Sequence, residues 1–171
     1  MTADNSGPAR KHAFAPVVAG DTRVLVLGSL PGEASLAAAR YYAHPRNQFW
    51  MLMGAVLGRD DLPALPYEDR LDALLGAGIG LWDTIASAQR AGSLDTALRA
   101  IEAAPLPALI ARLPALRCLA FNGGRAAQLG RRALAGTSLP LIELPSSSPA
   151  HAALSLAAKR ERWLALAEFL R

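Results

Sequence analysis

Four apolar residues, Val24-Leu25-Val26-Leu27, run straight into Gly28-Ser29-Leu30-Pro31-Gly32. Neither the branched run nor the break after it suits a helix: valine stiffens χ1, and glycine and proline punctuate the chain. A run apolar at every position is a strand buried on both faces, which belongs in a parallel sheet covered by helices on each side. The rest of the chain repeats this unit of strand, loop and helix. Gly78 to Asp83, Leu116 to Phe121 and Pro140 to Leu144 read as further strands. Glu33 to Arg40, a stretch from Pro45 to Leu57 stopped by Gly58, Glu68 to Leu75, Pro107 to Leu113, Arg125 to Ala135 and Ser155 to Leu170 read as helices. The expectation is a three-layer α/β/α sandwich around a central four-stranded parallel sheet.

With 171 residues, 52% of them hydrophobic and 19% charged, the chain suits one globular domain over residues 11–171. Residues 1–10 are polar and read as a loose tail without a secretory signal. No apolar run reaches the length of a membrane span. Cys118 is the one cysteine, so an internal disulfide or a cysteine-rich metal centre is excluded, and a cytoplasmic location is the simplest expectation. The net charge of +4 comes from 16 arginines against 2 lysines. Arginine's planar fork suits phosphate, although arginine richness also follows from base composition in some genomes.

Ligands of open parallel sheets bind outside the carboxyl ends of the strands. The loops at 28–32, 83–87, 122–124 and 145–151 should therefore line one cleft. They hold no nucleophile elbow, no Walker or dinucleotide phosphate loop, and no cluster with metal-ligand spacing. They offer amides, hydroxyls and backbone N–H groups instead: Ser29, Asn47, Asn122, Ser146, Ser147 and Ser148. Such groups hold phosphates and read the polar edge of a base. Hydrolysis of an N-glycosidic bond asks for little more, since preorganised dipoles can stabilise the separating charges.

Tyr41-Tyr42-Ala43-His44-Pro45-Arg46-Asn47-Gln48-Phe49-Trp50, with Gly28 to Gly32 before it, resembles the hypoxanthine-DNA glycosylase family, a branch of the uracil-DNA glycosylase superfamily. Lys11 to Val17, Gly80 to Ile85, Gly92 to Asp95, Phe121-Asn122-Gly123 and Pro145 to Ala150 fit the same family, in order along nearly the whole chain. The resemblance implies excision of hypoxanthine from deoxyinosine in double-stranded DNA, with uracil as a second candidate base and single-stranded DNA as a second candidate substrate, without metal or cofactor and without an obligate protein partner. It moves the catalytic role to Asn47, because the first loop lacks the superfamily's acidic or amide residue, and it groups Ser29 with Asn47. Gly28, Leu30, Pro31, Tyr42, His44, Asp83 and Asn122 are then expected around the base. Ser146, Ser147, Ser148, Pro149, Ala150 and His151 are expected along the DNA.

Several residues have plainer readings. Asn47, placed in the first helical turn, or His44 could cap that helix, and Asp83 could cap a following one. His151 could be a lone exposed histidine. Phe14 or Tyr42 could be the stacking platform, while Phe49 and Trp50 suit the core. A chain that kept the fold and only binds nucleic acid, and a hydrolase of small nucleosides, are the competing functions.

Overall fold

The computed structural model describes residues 7–171. Among the described residues the strands are β1 (Arg10–His12), β2 (Val24–Gly28), β3 (Ile79–Asp83), β4 (Ile85–Gln89), β5 (Arg99–Ala103), β6 (Cys118–Asn122) and β7 (Leu141–Leu144). The α-helices are α1 (Glu33–Ala38), α2 (Phe49–Leu57), α3 (Tyr67–Gly76), α4 (Leu106–Ile110), α5 (Gly124–Ala133) and α6 (Leu156–Trp163).

β3, β2, β6 and β7 form the expected parallel sheet in that order. Alternation along β2 sends Val24 and Val26 into one core and Leu25 and Leu27 into the other. The first core is closed by Phe49, Trp50, Leu52, Met53 and Val56 of α2, Leu74 of α3 and Trp163 of α6. The second takes Leu106 and Leu109 of α4 and Ala126 and Ala127 of α5. Gly130 of α5 lies so close to the sheet that a Cβ there would sit 2.1 Å from the Phe121 ring. Cys118 is buried in β6, where desolvation pushes its thiol up to about 12.

The chain leaves β2 toward β3 on one side and later returns to β6 on the other. The switch point between β2 and β6 is where such a sheet opens a crevice. Register brings its carboxyl ends level: Gly28 pairs with Asp83, Leu27 with Phe121, and Asn122 with Leu144.

Four details depart from the expectation. β1, β4 and β5 make a second, antiparallel sheet, so residues 85–89 form a strand and not a loop. Of the expected loop 83–87, only Asp83 lines the cleft. β1 starts at Arg10, inside the segment read as tail, while residues 1–6 of that tail lie outside the described residues. α2 begins at Phe49, so Pro45 and Asn47 precede the helix in a turn closed by the Asn47 N–H on the His44 carbonyl. Proline's effect on the preceding residue and the tight turn explain the later start. The last helix becomes 3-10 from Leu164 to Leu170.

Candidate active site

A cleft of about 610 Å³ opens at the switch point. Every candidate residue from the first loop, the Tyr42–Asn47 segment, Asp83, Asn122 and the 146–151 loop lies on its wall.

At the cleft's floor Gly28 ends β2 beside Asp83. A Cβ on Gly28 would stand 2.7 Å from Asp83 Oδ1 and 3.2 Å from the Tyr42 hydroxyl, so glycine keeps this space open. Asp83 is buried, and its Oδ2 has no hydrogen-bond partner. Desolvation pushes its carboxyl up to about 7; the Asp95 charge adds to the rise and the Arg90 guanidinium opposes it. Its capping role is ruled out, because β4 and not a helix follows. Thr84 fixes the junction instead, donating its N–H and hydroxyl to the Gly28 carbonyl at 2.8 and 3.1 Å.

Tyr42 takes a left-handed conformation, with φ of 53°, which costs a non-glycine residue energy. The strain lays its ring on Phe49, centroids 3.8 Å apart and planes 14° from parallel. Its hydroxyl is buried without a partner, and burial raises the phenol well above its ordinary value. Between the two platform candidates, Tyr42 lines the cleft and Phe14 does not; Phe14 packs edge-on against Tyr41. Phe49 and Trp50 are core residues, as expected.

Asn47 also lines the cleft. Its Oδ1 accepts the Phe49 N–H at 2.9 Å, which caps the start of α2 and fixes the direction of the amide. Capping and a place in the cleft are thus combined in one side chain. His44 Nδ1 accepts the Arg46 N–H at 3.1 Å, which leaves the proton on Nε2. Ser29 donates its hydroxyl to Asp95 Oδ1 at 2.7 Å. Leu30 is buried against the small sheet, so Leu30 and Pro31 shape the loop mainly through their backbone.

The serine loop is braced from beneath. Asn122 and Ser147 exchange two hydrogen bonds, Nδ2 to Oγ at 2.8 Å and Ser147 N–H to Oδ1 at 2.9 Å. Buried Ser147 is therefore committed to Asn122, and both serve the loop's shape. The oxygens of Ser146 and Ser148 accept the N–H groups of Ser148 and Ala150, which leaves both hydroxyl protons free to donate. His151 is half-buried on the cleft wall rather than exposed. Pro149 and Ala150 form the exposed lip.

Three residues of consequence were not among the expected site residues, although Asp95 closes the Gly92 to Asp95 block. Asp95 holds Ser29. Arg90 is buried and donates to the carbonyls of Gly92, Leu30 and Pro31. Lys159, also buried, donates to the His151 carbonyl at 2.8 Å and to Gln48 Oε1 at 2.9 Å. Each sits in a polar or helical stretch whose spacing says nothing about tertiary burial. Among the described residues, no group of three or more His, Cys, Asp or Glu is placed to hold a metal ion.

The chain matches a known family model over residues 15–169, that of the uracil DNA glycosylase superfamily. The chain belongs to the uracil DNA glycosylase superfamily. A hypoxanthine DNA glycosylase of Methanosarcina barkeri is 39% identical over 119 residues, covering 70% of this chain and 75% of the relative. One of Methanosarcina acetivorans is 36% identical over 141 residues, covering 82% and 88%. The solution NMR structure of a candidate uracil DNA glycosylase from Methanosarcina acetivorans superposes with a TM-score of 0.84 at 34% identity, over 95% of this chain and 99% of that one. The two chains therefore share one fold over nearly their whole lengths.

Proposed function

We propose that this protein is a monofunctional DNA glycosylase that hydrolyses the N-glycosidic bond of a deaminated base in double-stranded DNA, with hypoxanthine in deoxyinosine as its main substrate. The family match and the two hypoxanthine DNA glycosylases support the reaction and the base. The observation that carries the reading is Asp83, a buried carboxyl with an unpartnered oxygen beneath the gap that Gly28 leaves open. A buried polar atom without a partner is costly unless a ligand supplies one. A protonated carboxyl offers one donor and one acceptor. That pair complements the N–H and C=O of a lactam edge, which hypoxanthine, xanthine and uracil share. At a value near 7, Asp83 is protonated in a large share of molecules at neutral pH.

The base is first flipped out of the duplex, at a cost of a few kcal/mol. Tyr42, held on Phe49, stacks on it and offsets part of that cost. As the bond breaks, the sugar becomes an oxocarbenium ion and the base leaves as an anion. Asn47 cannot act as a base at neutral pH. Its Oδ1, fixed by the Phe49 N–H, accepts a hydrogen bond from the attacking water and orients it toward the sugar carbon. The water's proton passes to solvent after attack. Ser29, whose own proton is given to Asp95, presents its oxygen to the same water. The hydroxyl protons of Ser146 and Ser148 donate to phosphate oxygens on the flanking strand.

No helix among the described residues is long and apolar enough to cross a membrane, and we place the protein in the cytoplasm. The test is a duplex with a single deoxyinosine, incubated with protein and then alkali. Strand breakage at that position is expected, and Asn47→Ala should slow it about 100- to 1000-fold, the usual effect of losing one preorganised dipole, with a stability loss of only about 1 kcal/mol from the missing bond to the Phe49 N–H. Intact strands with deoxyinosine and with mismatched uracil would leave a binding module as the better reading.

A further inference from the structure

The 41–44 segment has two sides. One faces the cleft; the other faces a separate cavity of about 350 Å³, and Tyr41, Tyr42 and His44 line both. The two spaces differ in charge. The cleft wall carries Glu33, Asp83 and Asp95, with Arg125 as its cation. The second cavity is lined by Arg40 and Arg70, and no carboxylate lines it. Neither arginine is in a salt bridge among the described residues. Arg70 lies over the rings of Trp50 and Tyr67, at 4.8 and 5.7 Å, and Arg40 over Tyr67 at 5.3 Å. The aromatic faces hold both guanidiniums in place and leave their N–H forks uncommitted. The Nε of Arg70 and the indole N–H of Trp50 are buried without hydrogen-bond partners. His44, whose Nδ1 accepts the Arg46 N–H, adds an Nε2 donor to the same wall.

Two like charges beside one cavity, with surplus donors and no counter-charge, make a place for an anion. Nucleic-acid binding draws its affinity from phosphate neutralisation, and the acidic cleft supplies little of it. We propose that the cavity between Arg40 and Arg70 takes a backbone phosphate of the substrate strand, next to the nucleotide held in the cleft. The location of the cavity on the reverse side of the 41–44 segment makes it reachable by the same strand. This inference rests on the reading of the chain as a DNA enzyme.

The experiment uses the full chain and a deoxyinosine duplex in which single phosphates are replaced, one at a time, by uncharged methylphosphonates. The wild type should show one position near deoxyinosine where replacement weakens binding several-fold. In Arg40→Gln and in Arg70→Gln that position should lose its penalty. The slope of log affinity against log salt should fall by about 0.9 for each lost duplex contact. Arg40 is exposed, so Arg40→Gln folds even if Arg70→Gln does not, and thermal melting checks both. An identical methylphosphonate profile in wild type and Arg40→Gln overturns the proposal. So does stabilisation of the wild type alone by inorganic phosphate without any position-specific penalty, which would make the occupant a free anion. Because the profile reads binding, its arginine-dependent position would support the cavity assignment even on a duplex from which no base is released.

Discussion

Two walls face each other across the cleft, and each hangs on one buried cation that makes no salt bridge among the described residues. Arg90 anchors the first loop by donating to three carbonyls; Lys159 anchors the serine loop through the His151 carbonyl and Gln48. The difference lies in what surrounds them. Arg90 feels the charges of Asp95, Glu33 and Asp83. Lys159 is affected by burial alone, which lowers its pKa from the ordinary lysine value. The first wall combines a permanent cation with a titrating acid, whereas the second carries a titrating cation. In the proposed function the first wall would read the base with a proton poised near neutrality, and the second would hold phosphate with free hydroxyls.

The largest expected effect tests the acid. Asp83 has a folded value near 7 against an ordinary 3.8, so between these values the folded state holds a proton that the unfolded chain has lost. Stability therefore falls as pH rises from about 4 to 7, by an amount on the order of a few kcal/mol, and then levels off. Denaturant melts of Asp83→Asn across that range should be flat where the wild type slopes. Deoxyinosine cleavage under subsaturating conditions should decline above pH 7 in the wild type, following the protonated form. A wild-type melt without slope in that window would place Asp83 in contact with solvent.

Arg90→Met comes next. It removes hydrogen bonds from three carbonyls and should cost about 3 kcal/mol, since bonds to charged groups are worth roughly 1.5–3 kcal/mol each and the loop can relax. It should also move the Asp83 inflection upward, because Arg90 opposes the rise. An unmoved inflection would separate the two residues and weaken the contrast between the walls. Lys159→Met keeps the aliphatic stem and should cost about 2 kcal/mol. Its signature is alkaline: the wild type should gain stability as pH climbs toward 10.5, where the unfolded lysine still holds a proton that the folded one has shed. Urea melts between pH 8 and 11 should show that rise in the wild type and lose it in Lys159→Met.

The parallel sheet was legible in the sequence because β2 is apolar at every position and runs into a glycine and proline loop, and its partners are short, mostly apolar runs followed by turns. The antiparallel sheet was not. Ile85-Ala-Ser-Ala-Gln89 and Arg99-Ala-Ile-Glu-Ala103 hold one β-branched residue each, and most of their other residues (alanine, glutamine, arginine and glutamate) favour helix. They are strands because β4 continues from β3 past Thr84 and pairs with both neighbours. In the site, the Tyr41–Trp50 block pointed to Tyr42, His44 and Asn47, and strand ends pointed to Asp83 and Asn122. What escaped were long-range anchors: Asp95 lies 66 residues from Ser29, and Lys159 lies 111 from Gln48. No local pattern encodes such a pairing.

Cys118 gives this molecule a clock. Its thiol lies fully buried at the start of β6, an inner strand of the parallel sheet, and burial keeps it protonated far beyond neutral pH. A disulfide reagent in solution can capture it only when β6 parts from its neighbours. With no second cysteine to confuse the signal, the labelling rate of the unmodified protein measures how often the sheet itself comes open, and a DNA ligand that braces both walls should slow that rate.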